Sequence, residues 1–178
     1  MSKTLLTTFV LLFYILQSNA QIGIMKLVGK NTSDYTIGAG AFIKTGIPVS
    51  EGSDVTLELG VNYFFLKDGG TGDGTVMCPL KVGYRYTFNG TGEGFYVEPQ
   101  VGYNIIGATS LDNNGNQVNL KYHGVVLAAG TGYLFTIWGV PFDLNLRYET
   151  VIAHGGSNNF ISLGISKFFS FKKRDAGY

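Results

Sequence analysis

Apolar and polar residues alternate along this chain with a period of two from residue 22 onward. The clearest run is Phe142-Asp143-Leu144-Asn145-Leu146-Arg147-Tyr148-Glu149, where every even position is apolar and every odd one polar. The same alternation runs through 35–44, 55–65, 76–88, 95–106, 122–135 and 160–171, and a weaker segment covers 22–29. Period two is the signature of a strand with two unlike faces, so eight strands are predicted. The intervening stretches 30–34, 66–75, 107–119 and 153–159 are rich in Gly, Asn and Asp and read as turns or loops. Asn114-Gly115 is a tight-turn dipeptide at the tip of the third.

Sorting the seven clear segments by parity separates two chemistries. One face carries Val55, Leu57, Leu59, Val61, Tyr63 and Phe65 on one strand and Phe142, Leu144, Leu146 and Tyr148 on another. Across all seven it has one charge, Lys167, and no glycine. The opposite face holds four bases (Lys44, Lys81, Arg85, Arg147) and four acids (Glu58, Glu98, Asp143, Glu149). It also holds nine glycines: Gly38, Gly40, Gly60, Gly83, Gly102, Gly124, Gly130, Gly132 and Gly164. Glycine weakens a strand, so it belongs where a side chain has no room.

Two architectures fit eight such strands: a soluble lipocalin-like ligand-binding barrel, apolar inside, and a transmembrane barrel, apolar outside. Three features favour the second. The apolar segments are about ten residues long, which suits a tilted strand crossing ~30 Å of hydrocarbon. Their ends are aromatic and their middles aliphatic, as at membrane interfaces. A polar face crowded with glycine and balanced charge suits a narrow interior better than a wet surface. The prediction is an all-β fold, a transmembrane antiparallel up-and-down β-barrel of eight strands.

Composition sharpens this reading. The 178 residues include 26 Gly and 25 Phe, Tyr or Trp, are 45% hydrophobic and 14% charged, and carry a net charge of +1. Collagen is excluded by the lack of a three-residue glycine period, and disorder by the hydrophobic content. A nucleic-acid partner is excluded by the missing basic excess. One cysteine, Cys78, leaves no disulfide framework and no multi-Cys zinc site. Residues 1–20 have a basic start, an apolar run from Leu5 to Leu16 and small residues at Ser18 and Ala20, the layout of a cleavable signal peptide. The expected organisation is a signal peptide at 1–20, a barrel domain at 21–171 and a short tail at 172–178. Loops 30–34, 66–75, 107–119 and 150–159 are expected to face outward, and 45–54, 89–94 and 136–141 to be periplasmic connections.

A family resemblance supports the same architecture. Val76-Met77-Cys78-Pro79-Leu80-Lys81-Val82-Gly83-Tyr84 and Phe95-Tyr96-Val97-Glu98-Pro99-Gln100-Val101-Gly102-Tyr103 resemble the small outer-membrane β-barrel domain family of Gram-negative bacteria. So do Gly130-Thr131-Gly132-Tyr133, Leu144-Asn145-Leu146-Arg147-Tyr148 and the closing Leu163-Gly164-Ile165-Ser166-Lys167-Phe168-Phe169. The resemblance implies an outer-membrane location, a lipid environment and assembly by the outer-membrane insertion machinery, which reads a C-terminal aromatic. Here Phe169 or Phe171 would serve, followed by Lys172-Lys173-Arg174 and four more residues.

For function, the eight inward charges suggest an internal salt-bridge plug, with Glu58, Arg85 and Glu98 at similar depth. Such a barrel would anchor in the membrane and present its loops to a surface ligand. The alternative is a small channel or transporter for an apolar solute, which a hydrophobic cavity lined by Phe64, Ile106 or Phe160 would favour. Catalysis is not expected, and no catalytic, cofactor-binding or metal-binding residues are assigned. His154-Gly155-Gly156-Ser157-Asn158 has one residue more than the His-x-Ser-Asn of lipid A deacylases. Asp112, Asn114 and Asn116 have calcium-loop spacing, but Gln117 stands where glycine is required and the distal Glu is missing. Cys78 falls on the lipid face and His123 near a strand end, where each reads as an ordinary packed side chain.

Overall fold

A computed structural model describes residues 20–29, 35–66, 75–90, 93–105, 109–111, 117–119, 123–153 and 156–167. Eleven strands follow one another: β1 (Ala20–Val28), β2 (Tyr35–Ser50), β3 (Ser53–Leu66), β4 (Thr75–Met77), β5 (Pro79–Thr87), β6 (Gly94–Asn104), β7 (Thr109–Leu111), β8 (Gln117–Asn119), β9 (Gly124–Ile137), β10 (Val140–Ala153) and β11 (Gly156–Lys167). β4 and β5 pair with β3 in one continuous register, Asn62 facing Met77 and Leu59 facing Leu80, so they are one wall strand interrupted at Cys78. β7 and β8 form a separate two-stranded ribbon. The remaining strands make a closed antiparallel ring of eight, β1–β2–β3–β5–β6–β9–β10–β11, sealed by β11 against β1. The protein is a transmembrane antiparallel β-barrel, and closure leaves the ring no edge for lipid to meet.

Register fixes the width of the barrel. Val28 faces Asn159, and the ring continues through Thr150, Leu127, Val101, Val82 and Leu57 to Thr45. Thr45 lies two residues beyond Ile43, the partner of Ala20, so the circuit closes ten residues down β1 from its start. With ~3.3 Å per residue and ~4.8 Å between strands, that stagger tilts the strands by about 41° and sets a backbone radius of about 8 Å.

Burial follows parity. Ile24, Val61, Phe95 and Leu146 on the outward face are half or more exposed, whereas Lys81, Arg85, Glu58 and Asp143 on the inward face are fully buried. A soluble ligand-binding barrel would show the reverse, and that alternative is set aside. At the end where the connections are short, outward aromatics touch across neighbouring strands. Phe95 meets Tyr133 at 4.8 Å between ring centroids, and Phe135 stacks on Phe142 at 5.8 Å.

Four boundaries differ from expectation. The connection expected over 136–141 shrinks to Trp138 and Gly139, since Ile137 pairs with Val140 and Thr136 with Pro141. The connection expected over 45–54 is strand, with β2 running to Ser50 and β3 starting at Ser53 around a turn at Glu51-Gly52, where Gly52 has φ 72°. The sequence hid it because Gly46 and Pro48 fill the inward positions and, with Ser50 beyond them, mimic a loop. The loop expected over 150–159 shrinks to 154–155, since Thr150 faces Asn159 and Ala153 faces Gly156. Ladder hydrogen bonds do not need apolar side chains, so pairing continues past the apolar band. Within 107–119, Thr109 pairs with Asn119 and Leu111 with Gln117, while the expected turn at Asn114-Gly115 lies outside the described residues.

Inward glycines stand beside bulky inward partners in register. Phe42 faces Gly60 and Tyr96 faces Gly132. A Cβ on Gly60 would collide with the Phe42 ring. Gly60→Ala is therefore expected to destabilise the barrel by about 1–3 kcal/mol, the usual range for overpacking. Phe42→Ala alone should cost more, about 3–5 kcal/mol. In the double variant the Gly60→Ala cost should largely vanish. Denaturant unfolding in lipid vesicles measures all three, and additivity of the two single changes would refute the packing account.

Candidate functional site: the interior of the barrel

The described interior has two layers. The first is ionic. All eight inward charges identified from parity join one connected network. Glu58 on β3 lies in register between Lys44 on β2 and Lys81 on β5. From the far wall, β10, Arg147 reaches Glu58 with two parallel hydrogen bonds: Nη1 donates to Oε1 at 2.7 Å and Nη2 to Oε2 at 2.9 Å. Such a fork is the strongest and most directional ion pair that proteins make. Lys81 Nζ lies 2.9 Å from Glu58 and 2.7 Å from Glu149. Lys44 Nζ donates to Glu98 at 2.6 Å, and Arg85 joins Glu98 at 3.1 Å to Asp143 at 3.0 Å.

Neutral side chains add further donors to the carboxylates. Thr56 and Gln100 both donate to Glu98, at 2.6 and 2.9 Å. The Tyr96 hydroxyl donates to Asp143 at 2.6 Å, and the Arg85 guanidinium stacks 4.2 Å over the Tyr96 ring. These four bases and four acids cancel one another, and Asp54, in register with Arg85, adds a fifth buried acid beside them. Matching of this kind is how ionised groups persist away from water. These pairs span the barrel: β3 and β10 are diametrically opposite in the ring, so Glu58 and Arg147 meet across the lumen. A backbone radius of about 8 Å is what lets side chains from opposite walls touch.

The expected trio is only partly brought together. Arg85 and Glu98 pair, but Glu58 is bound by Lys81 and Arg147, because its register neighbours are Lys44 and Lys81. Parity missed a fifth inward acid. Asp54 is buried and faces Arg85 in register, but it precedes the segment whose alternation was clear.

The second layer is apolar and was not foreseen as a layer. Met25, Phe42, Phe64, Met77, Val126, Val151 and Phe160 form one buried cluster toward the long-loop end of the barrel. Phe64 and Phe160, two of the residues expected to line a cavity, pack edge to face at 5.6 Å. The third, Ile106, lies outside the described residues. Phe42 joins the layers, its ring 5.4 Å from Lys81 Nζ and 5.9 Å from the Arg147 guanidinium.

Other candidate residues lie apart from the interior. Ser157 is exposed on β11, and Asn158 is partly exposed beside it. His154 and the expected calcium loop at 112–116 lie outside the described residues, as do Phe169, Phe171 and the signal segment. Cys78 is a free, half-buried thiol on the outward side. Among the described residues no group of three His, Cys, Asp or Glu side chains could hold a metal ion.

Replacing Glu58 tests the ionic layer. Glu58→Gln leaves Lys44, Lys81 and Arg147 with too few partners, and breaking a buried ion pair costs about 3–5 kcal/mol. Glu51, exposed on its turn, is the control, and Glu51→Gln should change stability by less than about 0.5 kcal/mol. Denaturant midpoints in vesicles decide, and equal midpoints for the two variants would refute the network.

No family model matches the sequence, and no curated protein matches it significantly. Solved structures do resemble it. Ail, the attachment invasion locus protein of Yersinia pestis, in complex with the heparin analogue sucrose octasulfate, superposes with a TM-score of 0.52. That match has 12% identity and covers 84% of this chain and 96% of that one. The crystal structure of Ail without that ligand gives a TM-score of 0.48 at 13% identity, covering 84% and 98%. At such identity the likeness speaks to architecture, and the architecture is that of the small outer-membrane β-barrels.

Proposed function

We propose that this protein is an integral outer-membrane barrel whose lumen is closed, and that it works by presenting its long loops at the cell surface. Residues 1–20 fit as the export signal, and the outward apolar face fits outer-membrane lipid. The closing Phe169 or Phe171 fits the insertion machinery. In this orientation the short turns are periplasmic, and 30–34, 67–74, 106–123 and 154–155 are extracellular. The observation that carries the reading is the pair of stacked interior layers. Four bases paired with four acids across the lumen leave no free charge line for an ion, and the packed aromatic cluster above them bars water. Transport of an apolar solute would need a void where Phe64 and Phe160 pack together.

The Ail neighbour is solved with a sulfated ligand. Here the loops mix Lys30, Lys67 and Lys121 with Asp34, Asp68, Asp73 and Asp112. That balance favours neutral or mixed-charge surface partners over sulfated polymers. No enzymatic step is proposed, since among the described residues the interior offers no activated nucleophile or proton-transfer pair open to a substrate.

Fractionation should place the protein in the outer membrane as a band whose gel mobility shifts on boiling; a soluble periplasmic protein would end the proposal. In planar bilayers the wild type should show no stable open level. Glu58→Ala combined with Phe64→Ala, which opens both layers, should give small discrete steps. Conductance by the wild type would refute the closed lumen.

A further inference from the structure

We propose that Trp138 is a membrane-interface anchor that fixes the height of the barrel by seating its indole among phospholipid headgroups at the turn end. Trp138 and Gly139 are the two central residues of the β9–β10 hairpin, with Ile137 paired to Val140. Their φ values are 52° and 75°, so both lie in the left-handed region of a type I′ turn. Asn-Gly is the sequence that turn prefers, and a bulky aromatic there is strained. Trp138 is also 98% exposed, so no packing against the protein repays the strain.

The turn is braced: the Thr136 hydroxyl donates to the Glu93 carboxylate at the foot of β6. An indole on a rigid, strained and unpacked turn points to an interaction outside the chain. Its position says which. Outward Tyr133, Phe135 and Phe142 form a contacting aromatic row just above it, and Ile137 adjoins it, 43% exposed. From Val125 to Ile137 the outward face of β9 spans about 30 Å along the barrel axis at its tilt, enough to cross the hydrocarbon. Trp138 thus falls where the hydrocarbon ends, and an amphipathic ring with one N–H donor suits that boundary.

The chain has a single tryptophan, so its fluorescence reports this residue alone. Folded protein is reconstituted into phosphatidylethanolamine–phosphatidylglycerol vesicles, with insertion checked by flotation and gel mobility before emission is read. Emission should shift to the blue of the urea-unfolded chain. Acrylamide quenching should fall several-fold, and lipids brominated near the headgroup should quench more than lipids brominated near the chain end. Trp138→Asn should keep or raise the melting midpoint in detergent, since the turn improves, while slowing insertion into vesicles several-fold. Water-like emission with full acrylamide quenching and no bromine quenching would overturn the anchor, as would equal insertion rates for the two proteins. Failure of the vesicles to float with protein would instead count against the membrane barrel itself.

Discussion

Hydrocarbon offers no hydrogen-bond partner, and the rest of this structure depends on that fact. Every backbone N–H and C=O in the membrane must find a partner within the protein, so the sheet has to close on itself. Closure at eight strands and a ten-residue stagger leaves a cylinder of about 8 Å radius, and whatever points inward must fit in it. Long side chains from opposite walls therefore meet, as Arg147 and Glu58 do, and each needs a small neighbour to make room. The paired excess of glycine and aromatic residues follows. Most wall aromatics face lipid, while inward glycines clear space beside Phe42, Tyr96 and Lys81, whose register partners are Gly60, Gly132 and Gly102.

The outward face was legible because nothing there competes with the pattern. Along β10 each odd position is polar from Asp143 to Glu149, and a single period assigns all of them. Legibility failed where one of the two faces lost its signal. Over 45–54, inward Gly46 and Pro48, with Ser50 beyond them, resemble a loop, although outward Ile47, Val49 and Val55 continue the strand. Phe42 and Tyr96 were equally obscure. An inward aromatic breaks the alternation, and only the facing glycine, 18 or 36 residues away in sequence, explains it. Parity could list the eight inward charges but not pair them. Which acid meets which base depends on the stagger, and Glu58 finds Arg147 89 residues away.

An ion network is a costly way to fill a cavity. Apolar side chains of similar volume are often as stable or more so. The apolar layer around Phe64 and Phe160 shows that this chain can also fill its lumen that way. What the charged layer adds is register. A one-residue slip of β2, β3, β5, β6 or β10 would turn its inward charges to lipid, where each Lys or Arg at the midplane costs about 2–4 kcal/mol.

A two-residue slip would keep every charge inside, so charge alone cannot forbid it. The glycines can. Moved by two residues, Phe42 would face Glu58 or Asn62 in place of Gly60, and Tyr96 would face Gly130 or the far bulkier Leu134 in place of Gly132. The ionic pairing would fail as well, since Glu58 sits level with Lys44 and Lys81 in one register only. Charge excludes odd slips of the five strands that carry it. The Phe42–Gly60 fit excludes even slips of β2 against β3, and the Tyr96–Gly132 fit excludes the slip of β6 against β9 that would bring in Leu134. A pattern that looks like compositional bias along the chain is, around the ring, a set of constraints on how the strands can close.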